Sequence, residues 1–360
     1  MGACCSTHIK HKGKCRPEDE DELPEKVEKS HDGDVTGTGH NGAIVRFQGS
    51  SPFISMYSRK GKNGINQDAM TVWENFMGEK DVFFCGVFDG HGPSGHKVAR
   101  NVGHSLPSKL SSIIETSQLN GCKENDALVS DGQSCGKNDR GGVNKGSAKD
   151  RFSSWEASLI EAFKEADDDL SSGLSVDSYC SGTTAVTIIK QDEHLIISNL
   201  GDSRAILCTR DGKNRLFPVQ LTVDLKPSIP NEVERIEKCG GQVFAMDEEP
   251  NVLRVWNPDE DCPGLAMTRA FGDFCLKNYG VSSVPVVSYR RLTSRDEFVV
   301  LATDGVWDVL TNKEVITIVD SVEPQSTAAK VLVDYAVRAW RTRCPGSEID
   351  DCAVVCLFLK

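Results

Sequence analysis

Two apolar runs in this chain stop abruptly on aspartate and glycine. Val82–Phe88 runs into Asp89-Gly90-His91-Gly92, and Phe298–Thr303 runs into Asp304-Gly305. Short runs rich in Val and Phe, bounded by Asp and Gly, read as buried strands. Two further strand candidates begin where an aspartate stands: Asp68 precedes Ala69–Glu74, and Asp351 precedes Cys352–Leu359. In antiparallel neighbours the end of one strand lies beside the start of the next. Asp68 with Asp89, and Asp304 with Asp351, are therefore expected on common sheet edges. Acids gathered there repel one another unless a cation neutralises them. The candidate ligands are hard oxygens with no Cys/His zinc spacing at hand, which points to Mg²⁺ or Mn²⁺. Gly90 lets backbone approach closely and could lend its carbonyl. The plain alternative is a pair of turns, since Asp-Gly after a strand is most often that. Spacing alone leaves both readings open.

The remaining strand candidates, at 184–190, 194–199 and 204–209, are short and β-branched. Tight polar turns such as Lys190-Gln191-Asp192-Glu193 separate them, which favours antiparallel pairing. Helical spacing appears at Trp155, Leu159, Phe163, Ala166 and Leu170, and again around Val233 and Ile236 before Gly240. Thr311 with Glu314 forms a capping-box pattern. Residues 326–343 predict a helix with Leu332, Ala336 and Trp340 inward. The fold class is α+β: antiparallel sheet covered by helices, as one domain over 51–360. Residues 1–50 hold the acidic run Glu18–Glu22 and few large apolar residues, and read as a disordered tail. A polar stretch at about 121–150 reads as a surface insertion.

The net charge of −12 speaks against nucleic acid as a partner. No apolar run is long enough to predict a spanning helix. The fourteen cysteines are scattered and no export signal precedes them, so reduced thiols in an intracellular protein are expected.

Seven segments occur in an order that resembles the type 2C metal-dependent protein serine/threonine phosphatases, most like a plant branch. They are "GINQDAM" (64–70), "FDGHG" (88–92), "SGTTA" (181–185), "NLGDSRA" (199–205), "LAMTRAFGD" (265–273), "ATDGVWD" (302–308) and "DDCAVV" (350–355). The resemblance implies a four-layer sandwich, with two antiparallel β-sheets face to face and helices outside. It implies two Mg²⁺ or Mn²⁺ ions per subunit and phosphoprotein substrates, in a protein expected to be a monomer. Asp89 resembles the carboxylate that bridges the two metals, with Gly90 giving its carbonyl to one of them. Asp304 and Asp351 would hold the other. Asp68 resembles the acid that acts through metal-bound water, and His91 stands where the family has its general acid. Asp202 resembles an acid that serves a weak third metal; a turn residue is the alternative. The stretch Thr268–Asp273 resembles a family loop near the flap. One position departs: where many members carry a phosphate-gripping arginine this chain has Asn63, with Lys60 and Lys62 nearby. Lys62 is the candidate substitute, although an ammonium is no bidentate fork. Gln67 also stands where other members have glutamate.

The implied chemistry is direct attack of a metal-activated water on phosphorus, with His91 protonating the leaving oxygen. A cysteine-based phosphatase is disfavoured, because no cysteine is followed six positions later by arginine. A P-loop enzyme is disfavoured because no Gly-rich loop ends in Gly-Lys-Ser/Thr. The alternatives are a metal phosphoesterase acting on non-protein substrates, and a binding protein on a decayed phosphatase fold. The start Met1-Gly2-Ala3-Cys4-Cys5-Ser6 fits N-myristoylation at Gly2. One acyl chain binds membrane only marginally, so palmitate on Cys4 or Cys5, or the basic Lys10, Lys12, Lys14 and Arg16, would supply the second signal. Peripheral contact with the plasma membrane, or a cytoplasmic location without the acyl chains, is expected.

Overall fold

The computed structural model describes residues 27–29, 35–62, 64–126, 148–173, 176–247, 249–259 and 264–360. The acylation motif, Asn63 and most of the polar insertion lie outside the described residues.

The sheet begins earlier than the sequence suggested. β1 (Val27–Lys29), β2 (Val35–Thr38) and all but the last residue of β3 (Ile44–Ser51) fall within the stretch expected to be disordered. This corrects the domain start at 51. Next come β4 (Ile54–Arg59), β5 (Ala69–Glu74), β6 (Phe83–Phe88) and the two-residue β7 (Gly90–His91). A long helix, α1 (Gly95–Asp126), and α2 (Ala148–Ser172) follow. The polar insertion expected at 121–150 is thus helical at both ends. β8 (Gly182–Thr183), β9 (Ala185–Gln191), β10 (His194–Leu200), β11 (Arg204–Arg210) and β12 (Leu216–Gln220) form the middle of the chain. Asp192, held at φ 51°, closes the β9–β10 hairpin at the turn read from the sequence.

After α3 (Pro230–Lys238), a separate hairpin of β13 (Gln242–Ala245) and β14 (Leu253–Trp256) packs with α3 through Ile236, Val243 and Val255. The chain then gives β15 (Phe271–Gly272), α4 (Phe274–Lys277), β16 (Val286–Arg291) and β17 (Asp296–Ala302). It finishes with α5 (Asp304–Trp307), α6 (Asn312–Asp320), α7 (Ala328–Arg343) and β18 (Cys352–Phe358).

The main strands run β12-β11-β17-β18-β4-β3-β5-β6-β9-β10-β16, all antiparallel. β3 joins the two halves. Ile44–Arg46 pairs with β5, whereas Gly49–Ser51 pairs with β4. The curled sheet packs on itself, giving two faces and one core between them. Met70, Val72, Cys85, Ile188 and Ile197 from one half meet Leu207, Val299, Leu301 and Val355 from the other. Because side chains alternate across a strand, the intervening residues face outward and need helices to cover them. Phe84, Phe88 and Ile189 are covered by α1 and α2. Val300, Val354 and Cys356 are covered by α6 and α7, with Leu332, Ala336 and Trp340 inward as expected. The result is the expected four layers. The capping box at Thr311 and Glu314 is present, with both reciprocal bonds made.

Leu301 is fully buried in the core between the halves. Leu301→Ala should lower unfolding free energy by about 2–5 kcal/mol, because the packed sheets cannot collapse on the cavity. Urea denaturation checks this.

Candidate active site

The antiparallel register places the acids. Ala69 pairs with Phe88, so Asp68 and Asp89 meet at the β5/β6 edge. Ala302 pairs with Val354, and the Thr303 amide bonds the Ala353 carbonyl, bringing Asp304 beside the entry to β18. Thr303 Oγ1 donates to Asp68 Oδ2 at 2.8 Å and links the two edges. Asp304 opens the single turn of α5, which two tryptophans hold. Trp340 Nε1 donates to the Gly305 carbonyl at 2.7 Å, and Trp307 Nε1 to the Ala302 carbonyl at 2.8 Å. Gly90 must be glycine: a Cβ there would stand 2.5 Å from the Gly95 carbonyl oxygen and 2.6 Å from that of Gln67.

Burial and mutual repulsion act together on these carboxyls. Burial and then the charge of Asp351 push Asp68 well above the usual carboxylate range. Burial, Asp304 and Asp68 do the same to Asp89. Burial and then Asp350 do so to Asp304. Asp89 Oδ2 is buried with no partner among the described residues. An orphaned carboxylate oxygen facing other acids suits a hard divalent cation. No group of three or more His, Cys, Asp or Glu side chains among the described residues already closes as a cage.

Asp351 is not available in the way the sequence suggested. Its Oδ1 accepts the Gly61 amide at 2.6 Å and its Oδ2 the Gln67 amide at 2.7 Å. Among the acids of the cluster, Asp351 acts on Asp68 and Asp350, and otherwise braces the loop before β5. Its neighbour Asp350 acts on Asp68, Asp89 and Asp304 alike, and burial pushes its own carboxyl up to about 7. Lys62 is exposed, and its backbone amide is spent on the Ile349 carbonyl. The lysine that acts on Asp351 is Lys60. Asp202 lies buried in the β10–β11 turn, 2% exposed, with Lys226 3.2 Å from its Oδ2.

His91 has a partner that sequence reasoning did not single out. Its Nε2 lies 2.6 Å from Asp273 Oδ2, and both side chains are buried. β7, β8 and β15 form a small sheet that brings these residues together across 182 positions. Gly182 makes room: a Cβ there would collide with Asp273 Oδ2 and stand 2.7 Å from His91 Nε2. Asp273 itself sits at φ 51°, a conformation aspartate tolerates better than most residues. Burial works against a charged imidazole, but the charge and hydrogen bond of Asp273 outweigh it and raise the His91 pKa. Nδ1 is buried without a partner among the described residues.

The protein phosphatase 2C model matches residues 58–343. The chain belongs to that family. It is 52% identical over 336 residues to the probable protein phosphatase 2C 65 of Arabidopsis thaliana, covering 91% of this chain and 84% of that one. It is 50% identical to the probable protein phosphatase 2C 73 of Oryza sativa subsp. japonica, covering 100% and 80%. These relatives place it on the plant side of the family. Among solved structures, the serine-threonine phosphatase 2C of Toxoplasma gondii superposes with a TM-score of 0.72 at 23% identity, covering 88% of this chain and 99% of that one. That likeness shows the fold. A protein phosphatase 2C is a phosphoric monoester hydrolase, and the family is metal-dependent.

The raised carboxyls give the metal-free protein a pH dependence whose sign is fixed. A carboxyl with a folded pKa above its unfolded value binds protons more tightly when folded, so stability falls as pH rises. In excess chelator, stability should decline from about pH 4 through about pH 7, where Asp350 titrates, by a few kcal/mol from that group alone. Asp304→Asn should raise the melting temperature in chelator and reduce the gain from Mn²⁺. Thermal melts across pH, with and without Mn²⁺, check both; a metal-free protein that becomes more stable from pH 5 to pH 8 would contradict the assignment.

Proposed function

We propose that the chain hydrolyses phosphoserine and phosphothreonine in proteins by direct attack of water, with no phospho-enzyme. The observation that carries this is the convergence of Asp68 and Asp89 from the β5/β6 edge with Asp304 and Asp350 from the β17/β18 edge, with an Asp89 oxygen left unpartnered among the described residues. Asp89, the Gly90 carbonyl, Asp304 and Asp350 would hold two Mg²⁺ or Mn²⁺ ions, Asp350 taking the place first expected for Asp351. Such ions, when bound, polarise phosphoryl oxygens and lower the pKa of the attacking water.

Asp68, fixed by Thr303, orients water at the cluster. Asp273 holds Nε2 of His91, so Nδ1 is the nitrogen left to give a proton to the departing serine or threonine oxygen. The raised pKa of His91 keeps the protonated form available near neutral pH. The overall acidity of the chain favours phosphoproteins over nucleic acid as substrates.

His91→Gln tests this assignment. Alkoxide leaves poorly unless protonated, whereas nitrophenolate leaves unaided. At saturating Mn²⁺, the variant should lose on the order of 10²–10⁴-fold in kcat on a phosphothreonine peptide and much less on p-nitrophenyl phosphate. Equal losses would remove the general-acid role. Full peptide turnover by the parent enzyme in excess chelator would remove the metals.

The Gly2, Cys4 and Cys5 motif supports a doubly acylated, peripheral position on the plasma membrane. Gly2→Ala should move the protein from the membrane to the soluble fraction. Unchanged fractionation would sink this location.

A further inference from the structure

The ion pair of Lys226 and Asp202 has one fixed end and one end open to water. Asp202 is 2% exposed, while the Lys226 side chain is 36% exposed. Nζ lies 3.2 Å from Asp202 Oδ2, and Asp202 Oδ1 is buried without a partner among the described residues. The backbone around Lys226 is stitched in place. The Leu225 amide donates to the Gly201 carbonyl at 2.9 Å. The Thr268 amide and hydroxyl both donate to the Leu225 carbonyl at 2.8 Å. Arg204 grips Asp224 with two N–H donors, and the Asn199 side-chain amide donates to the Val223 carbonyl at 2.7 Å. What can move is the flexible stem of the lysine. The acids that act on its ammonium are Asp202 first, then Asp308 and Asp304. Lys226 therefore stands as a cation at the margin of the proposed metal cluster.

We propose that Lys226 is a tethered competitor for a divalent ion at Asp202. With the ammonium seated on Oδ2, only Oδ1 is open, and a second cation beside it is repelled. With the stem swung toward solvent, both oxygens are free to an outer ion. Lys226 thereby sets the divalent concentration at which that ion joins, and touches the inner ions at Asp89, Asp304 and Asp350 only through its weaker charge interaction with Asp304. This inference rests on the metal-dependent reading above, and the experiment separates the two.

Mn²⁺ binding to the full chain is measured by calorimetry, with free Mn²⁺ counted by electron paramagnetic resonance. The parent protein should bind two ions tightly and one weakly. Lys226→Met and Lys226→Gln should each tighten the weak ion by on the order of tenfold, while the two inner ions stay tightly bound. Lys226→Arg keeps a cation in the seat and should leave the weak ion weak. Asp202→Asn should remove the weak ion in the parent and in the Lys226→Met background. Thermal melts in saturating Mn²⁺ establish that each variant is folded. A Lys226→Met isotherm that superimposes on the parent's, or a tightened ion that survives Asp202→Asn, overturns the competitor while the two tight ions uphold the metal-dependent reading. Loss of the tight ions from the parent protein overturns both.

Discussion

Mutual repulsion among buried carboxylates is the constraint on which the rest of this structure turns. Asp68, Asp89 and Asp304 are each buried, and each is pushed up by burial and by its neighbours. No random packing would collect them. Antiparallel pairing does so by force of register: a strand that ends on an acid is laid beside one that starts after an acid. The cost is tolerable because the cores on both sides are dry and extensive, and because a cation can later relieve the charge. Stability is given up at the site and recovered where the strands pack against each other and against the helices.

The two sheet halves contribute the acids unequally, and the curl of the sheet is what unites them. Asp68 and Asp89 belong to the half covered by α1 and α2; Asp304 and Asp350 belong to the half covered by α6 and α7. β3 pairs with both halves and so fixes the angle at which they close. The Thr303 bond to Asp68 crosses the seam directly. The bond from Trp340 to Gly305 ties the outer helix to the same loop. A change in packing far from the acids therefore reaches them through the strand ends.

Much of this was legible in the chain, for identifiable reasons. The seven strands named from sequence are all present, because β-branched runs between Gly and Asp are a local signal. The acids at their ends were legible for the same cause. What was missed depended on distance or on one residue of phase. Asp350 and Asp351 are adjacent, and only the amides of Gly61 and Gln67 decide which carboxylate is spent on backbone. Asp273 meets His91 only through the small β7-β8-β15 sheet, whose strands are two residues long. α1 carries Gly103 and an internal Pro107, which argue against a helix locally. It forms because Val98, Ala99, Val102, Leu106 and Leu110 bury one face against the sheet below. β2 and β3 lie in a stretch rich in Gly and polar residues; β3 gains order from pairing with β4 and β5, and β2 from pairing with β3, not from their own propensity.

Gln67 shows how closely charge is rationed at this seam. Its backbone amide donates to Asp351 at 2.7 Å, and its side-chain Nε2 donates to the Gly92 carbonyl at 3.1 Å. The same residue thus ties the entry of β5 both to the last strand and to the loop after His91. A glutamate here would turn that donor into an acceptor facing a carbonyl, and would add one more negative charge beside Asp68. The amide keeps the shape and removes the charge. Its Oε1 is buried without a partner among the described residues and is pressed so near Gly95 that a side chain there would collide with it. The start of α1 is thereby held against the β5 entry by a neutral contact. In a site already crowded with acids, Gln67 joins these loops without adding a charge, and Asp351 is the one acid of the pair at 350–351 that is spent on bracing backbone.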